Sequence, residues 1–196
     1  MKKILLSAFA VMALVAACVP SVNPFYTDKD VVTDPRLAGA WYEDEDKDNP
    51  ATWKFESTTN NAYAVTFTEE KDKTGNLEGH LFKLGQDFFL DLTPMECNYA
   101  TNQASLVGMA MIPGHLLLRV MFNEKKLNLA FCNPDWTKKY LEKNPAAVAH
   151  RVVDDSVIFT AETVALQKFV MKHLGKDELF SAGTDYRRQT DVVVPK

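Results

Sequence analysis

The chain has 196 residues, of which 46% are hydrophobic, 11% aromatic and 24% charged, the profile of one globular domain. Its 22 basic and 26 acidic residues give a formal charge of −4 and are interspersed, so no basic surface suited to a nucleic-acid backbone is expected. Plentiful aromatics, eight glycines and three cysteines exclude a disordered chain, a collagen-like repeat and a disulfide-dense mini-protein.

The amino-terminal residues carry an address. Met1-Lys2-Lys3 precede the apolar run Ile4–Leu14, which is shorter than a membrane span of about 20 residues, and small residues follow it. Residues 1–17 therefore read as a signal peptide. Val15-Ala16-Ala17-Cys18 resembles the bacterial lipobox, in which cleavage precedes the cysteine and its sulfur and amine receive acyl chains such as palmitate. The resemblance implies lipidation at Cys18, and several acyl chains at about 0.8 kcal/mol per buried CH₂ make such an anchor permanent. Val19, not Asp, follows the cysteine; Asp there resembles an inner-membrane retention signal, so the expected address is the outer membrane, facing the periplasm. Between Val19 and Pro35 the sequence has three prolines and no periodicity, so residues 18–36 are expected to be the lipidated cysteine and an extended tether. Residues 37–196 are left for the folded domain.

With Cys18 acylated, Cys97 and Cys132 remain, an even number for an oxidising compartment. Cys97 follows a strand ending near Leu92 and Cys132 ends a strand from Lys126, so an antiparallel meander puts both at one end. A disulfide between them, or a buried Cys132 with a loop thiol at Cys97, are both open.

Beyond Leu37 the pattern is period-two alternation broken by turn residues, as for antiparallel strands with one buried face. Trp53 and Phe55 alternate with Thr52, Lys54 and Glu56; after the turn at Asn60-Asn61, Tyr63, Val65 and Phe67 alternate with Ala64, Thr66 and Thr68. Residues Asn76–Leu84 and Phe88–Leu92 form a second hairpin around Gly85-Gln86-Asp87, and His115–Phe122 with Lys126–Cys132 form a third. Next, Asn133 caps a helix that has Pro134 at its first position and ends at Asn144-Pro145. After short strands around Val152 and Val157–Phe159, a second helix capped by Thr160 carries the apolar stripe Val164, Leu166, Phe169, Val170 and Leu174. Tyr186–Gln189 is the last strand. About nine or ten strands in up-and-down order tend to curl and close, so the expected fold is mainly β: an antiparallel up-and-down barrel with two helices, one before the last strand.

Gly39-Ala40-Trp41 opens the first barrel strand, a long helix precedes the last, and the last carries Arg187 and Arg188. This layout resembles the lipocalin or calycin group, where a Gly-x-Trp begins the barrel and an arginine from the closing strand covers the tryptophan. The resemblance implies that Trp41 plugs one end and that one of the two arginines stacks over it; strand alternation turns only one of them inward, and Arg187 is the expected one. The helix inserted after Asn133 departs from the group's layout. Gly39-Ala40-Trp41, Glu78-Gly79-His80-Leu81, Phe88–Leu92, Asn133–Trp136 and Leu166–Phe169 also look like a family of bacterial envelope proteins of unassigned function, and that similarity implies no activity.

No nucleophile elbow, zinc-protease helix, Cys-x-x-Cys pair or phosphate-cradling glycine loop is present, so no catalytic residue and no cofactor is assigned. The acidic run Glu43–Asp48 has Asn49-Pro50 where a calcium loop turns on glycine, and reads as a solvated hairpin loop. Glu78 shares a strand face with His80, and a barrel can gather His80, His115 and His150, a speculative ligand or metal set weighed against histidines that merely satisfy local hydrogen bonds. Asp91, between Leu90 and Leu92, faces solvent or pairs with Arg119 across the sheet. Leu116-Leu117-Leu118 and Phe88-Phe89 are apolar on both strand faces, one to pack under helices and the other either to line a pocket or to fill the barrel.

The resulting expectation is a lipid-anchored, periplasm-facing binding or envelope-maintenance module, with an apolar small molecule as ligand. The alternatives are a small hydrolase or isomerase using the barrel histidines, and a protein-inhibitor or assembly partner acting through loops such as Pro94–Pro113.

Overall fold

The computed structural model describes residues 18–43, 50–70, 73–95, 114–123, 125–175 and 178–189. The alternating segments form β2 (Gly39–Glu43), β3 (Thr52–Ser57), β4 (Tyr63–Glu70), β5 (Lys73–Leu84), β6 (Asp87–Pro94), β7 (His115–Asn123) and β8 (Lys126–Phe131), with β11 (Thr184–Arg188) near the carboxyl end. Each pairs antiparallel with its sequence neighbour, and β11 lies between β8 and β2, so the eight strands close into a barrel with no open edge among them. The expected fold class is the observed one, and it is compatible with a calycin-like fold.

Period two sorts the side chains of every strand. Trp53 and Phe55 enter the barrel with Trp41, Tyr63, Leu90 and Leu118, and these large side chains fill its interior. Each such burial is worth about 1.5–3 kcal/mol. The opposite face of β5, β6 and β7 presents Phe82, Phe89 and Leu117, which pack under two helices. Both apolar faces of Phe88-Phe89 and Leu116–Leu118 thus have a use, one inside the barrel and one beneath the helical layer.

Helix α1 (Pro134–Lys143) begins as expected: the Asn133 side chain accepts the Trp136 N–H at 3.1 Å, and Pro134 sits in the first turn. Helix α2 (Thr163–His173) is capped at Glu162, two residues later than expected at Thr160, and without a side-chain cap bond. Thr163 instead donates its hydroxyl to the Pro24 carbonyl at 2.7 Å. Leu166, Phe169 and Val170 of α2 and Leu141 of α1 complete the outer core. Between the helices, β9 (His150–Val153) and β10 (Ser156–Phe159) form a hairpin whose turn residues Asp154 and Asp155 both have positive φ, the pattern of a tight two-residue connection. No helix among the described residues is long and apolar enough to cross a membrane.

The segment expected as an extended tether is laid against the barrel. Pro20–Ser21 forms a short strand, β1, antiparallel to the start of β7 and parallel to β10. Farther on, Val32 N–H donates to the Leu81 carbonyl at 2.8 Å, and Lys83 N–H donates to Asp30 at 3.0 Å. The reason lies in the lengths of neighbouring strands. β8 stops pairing with β7 at Leu118, and β4 stops pairing with β5 at Gly79, which leaves backbone groups on β7 and β5 that the amino-terminal segment satisfies. Val19 and Phe25 bury their side chains in the outer core at the same time.

Candidate functional site

One end of the barrel is sealed by an arginine over a tryptophan. Trp41 and Arg188 are direct cross-strand partners, and the Arg188 guanidinium carbon lies 4.5 Å from the Trp41 ring centre. Its Nη1 donates to the Ala38 carbonyl and its Nη2 to that of Arg36, each at 2.6 Å, while Trp41 Nε1 donates to the Leu37 carbonyl at 2.9 Å. This corrects the expectation for Arg187. Tyr186 points into the barrel and is buried, so the two-residue period puts Arg188 on that inner face and Arg187 on the outer one, opposite Tyr42. The glycine of Gly39-Ala40-Trp41 has a local explanation too. Its φ is 124°, and a Cβ there would stand 2.5 Å from Arg188 Nη1.

The turn that carries Arg36 is held by a buried phenol: Tyr63 Oη accepts the Asp34 N–H at 2.9 Å and donates to the Asp34 carbonyl at 3.0 Å. The Asp34 carboxylate in turn grips Arg36, with Nη2–Oδ2 at 2.6 Å, and that guanidinium holds Asp34 below the usual carboxylate range. Arg36 also lies 4.3 Å above the Phe122 ring. A cavity of about 690 Å³ opens here, walled by Trp41, Tyr42 and Phe122 and rimmed by Arg36, Lys125, Lys126, Arg187 and Arg188. At its edge Lys126 Nζ meets Asp185 at 3.0 Å, and Asn128 donates to the same carboxylate at 2.8 Å. Those bonds, the amide's first, lower the Asp185 pKa.

A second polar group lies on the outer face of β5, β6 and β7. Asp91 is 1% exposed; its Oδ2 accepts the Phe25 N–H at 2.8 Å and its Oδ1 stands 2.7 Å from His115 Nδ1. Neither solvent nor Arg119 is its partner, since Arg119 reaches Asp87 at 2.8 Å instead. His80 is the cross-strand neighbour of Asp91, lies beneath the Tyr26 ring at 4.4 Å, and has Glu78 at 3.8 Å from its Nε2. Burial first, then the charges of Asp91, Glu78 and Asp28, push the Tyr26 hydroxyl up to about 12, so it stays protonated. Glu78, His80 and His115 thus lie around Asp91, but His150 makes its own local contact, its Nδ1 2.9 Å from the Val148 carbonyl. Among the described residues no three His, Cys, Asp or Glu side chains form a set able to hold a metal ion. Asp91 already has a partner on each oxygen and the Tyr26 ring covers His80, so the group works as a clasp on the amino-terminal segment. The fourth histidine, His173, is boxed by the rings of Trp136, Tyr140 and Phe169.

Cys132 is a free buried thiol with Sγ 3.6 Å from Thr137 Oγ1, and burial pushes it up to about 12. Its expected partner Cys97 lies outside the described residues, as do most of the loop Pro94–Pro113 and the acidic residues 44–49. Arg36, Lys125 and Tyr26 were not singled out by the sequence for these positions. The one sequence signal for the cavity is the row of bases at chain positions that the barrel order makes adjacent. Comparison with known protein families, with curated proteins and with solved structures gives no match.

Proposed function

We propose that this chain is a lipid-anchored, periplasm-facing binding module of the bacterial envelope, held to the outer membrane through Cys18, with its ligand taken at the surface of the barrel rather than inside it. The observation that carries this reading is the contrast between the two candidate sites for a ligand. The interior is occupied by Trp41, Trp53, Phe55, Tyr63 and leucines, whereas an aromatic-walled cavity of about 690 Å³ opens beside the Trp41–Arg188 seal. Among the described residues large side chains crowd the interior, while the cavity supplies flat apolar walls beside the Trp41–Arg188 seal. The docked segment Val19–Leu37 supports the anchoring half of the reading, because it pairs Pro20 and Ser21, just after Cys18, with the start of β7.

The test of anchoring is fractionation of the Cys18→Ala variant. Release from membranes, or retention of an uncut precursor, is expected. Normal cleavage with unchanged membrane fractionation would remove lipidation from the reading.

A further inference from the structure

The cavity beside Arg188 says more about its ligand than its aromatic walls do. Five of its lining residues are cationic and none of the described lining residues is acidic, in a chain whose formal charge is −4. Such a grouping is self-repelling unless countered, and it focuses an attractive field on anions. Asp34 offsets Arg36 and Asp185 offsets Lys126, both from beside the cavity. Arg188 spends both terminal nitrogens on carbonyls, so it offers charge and a rigid position more than donors. Lys125, exposed in the β7–β8 turn, makes no ion pair with a described residue and has its ammonium available. On the walls, Tyr42 and Phe122 present ring surface next to these charges.

Position narrows the source of the anion. Cys18 enters the fold at the opposite end: Pro20, two residues on, pairs with Leu116 at the start of β7. The cavity lies at the far end of the same strand, at Phe122 and Lys125. From Leu116 to Phe122 at about 3.3 Å per residue is roughly 20 Å, and even with barrel tilt this approaches two Debye lengths of about 8 Å each. Headgroups of the membrane that holds Cys18 are therefore screened from this rim.

Resting on the reading of the chain as an anchored binding module, we propose that the cavity binds a soluble small molecule bearing a phosphate or carboxylate beside a flat apolar group. The anion meets Lys125 and the field of the neighbouring bases, and the apolar part lies along Tyr42 and Phe122.

Equilibrium dialysis of 1-naphthyl phosphate against the full chain in phosphatidylcholine vesicles tests this, with protein-free vesicles correcting for partition. Saturable binding is expected, weakened at least tenfold by Lys125→Glu and by 0.5 M salt, and unchanged by Lys54→Glu, which lies on the exposed face of β3. Neutral 1-naphthol and inorganic phosphate should each bind at least tenfold more weakly than the ester. Equal binding of inorganic phosphate overturns the apolar half of the proposal, and absence of saturable binding overturns all of it. Lys125-dependent capture of anionic phosphatidylglycerol vesicles without naphthyl phosphate binding likewise overturns it in favour of a headgroup site. Flotation of the chain with the vesicles reads the anchor independently, so loss of flotation with binding retained sinks the anchoring reading and leaves the site standing.

Discussion

The carboxylate of Asp91, nearly inaccessible to solvent, receives the backbone N–H of Phe25 at 2.8 Å, across 66 residues of sequence. Its other oxygen meets His115 at 2.7 Å, so one side chain joins the amino-terminal segment, β6 and β7. Asp91→Ala leaves a buried N–H without its acceptor, and a loss of about 2–4 kcal/mol is expected from the orphaned donor and the broken charge-assisted bonds. Hydrogen exchange should accelerate first at Phe25 and its neighbours. Uniform acceleration over the whole barrel, or none, would contradict the clasp.

Arg188 and Arg187 are chemically alike and differ only in which face they occupy. Arg188→Ala removes the stack on Trp41 and two bonds to carbonyls and should cost about 1–3 kcal/mol in urea unfolding. Arg187→Ala should cost less. Gly39→Ala, which forces a Cβ against Arg188 Nη1 at a φ of 124°, should resemble Arg188→Ala rather than a neutral surface change. Equal effects of the two arginine variants would disprove the sided arrangement.

Acid should loosen the Asp34–Arg36 turn. The carboxylate's pKa is lowered in the folded state, chiefly by the Arg36 hydrogen bonds, so folding binds fewer protons there than unfolding does. The stabilisation is whole above the unfolded value of about 4, and it is lost as pH falls through the lower folded value. Asp34→Asn should therefore be less stable than the parent at neutral pH and converge with it in acid. A stability gap that is constant from neutral pH to pH 2 would count against this.

The Cys132 thiol, pushed up to about 12 by burial, should resist alkylation in the folded protein at pH 8 and react fully once the chain is unfolded. Mass spectrometry of iodoacetamide-treated protein reads both states. Labelling of folded protein at the rate of a free cysteine would show that the outer core is open at α1.

The strands were legible because period two survives wherever one face is buried, and Trp53, Phe55, Tyr63 and Val65 mark the interior with no help from their neighbours. Closure was legible from strand number. The choice between Arg187 and Arg188 was not, since it depends on the register of β11 against β2, which Tyr186 sets by burying itself. The docking of segment 18–36 was not legible for a different reason: its apolar residues Val19, Phe25 and Val31 follow no period, the first two burying in the outer core and the third bridging to β5. Asp91 looked exposed or paired with Arg119 because its two partners come from Phe25 and His115, and no local pattern announces either. The cavity's bases are spread from Arg36 to Arg188 and become one site only when the barrel closes.

The docked amino-terminal segment also dictates an order of events as the chain folds. Asn23 donates to the Ala161 carbonyl across 138 residues, Thr163 to Pro24 across 139, and Gln167 to Phe25 across 142. A chain delivered amino end first thus presents this segment long before its partners exist. Its bonds to Ala161 and α2 can form only once those residues have been made, and contacts of such long sequence separation are slow to form. The same segment covers the edge of β5 beyond Gly79 and of β7 before Leu118, so a chain in which residues 19–32 are undocked presents those two edges for pairing with a neighbour.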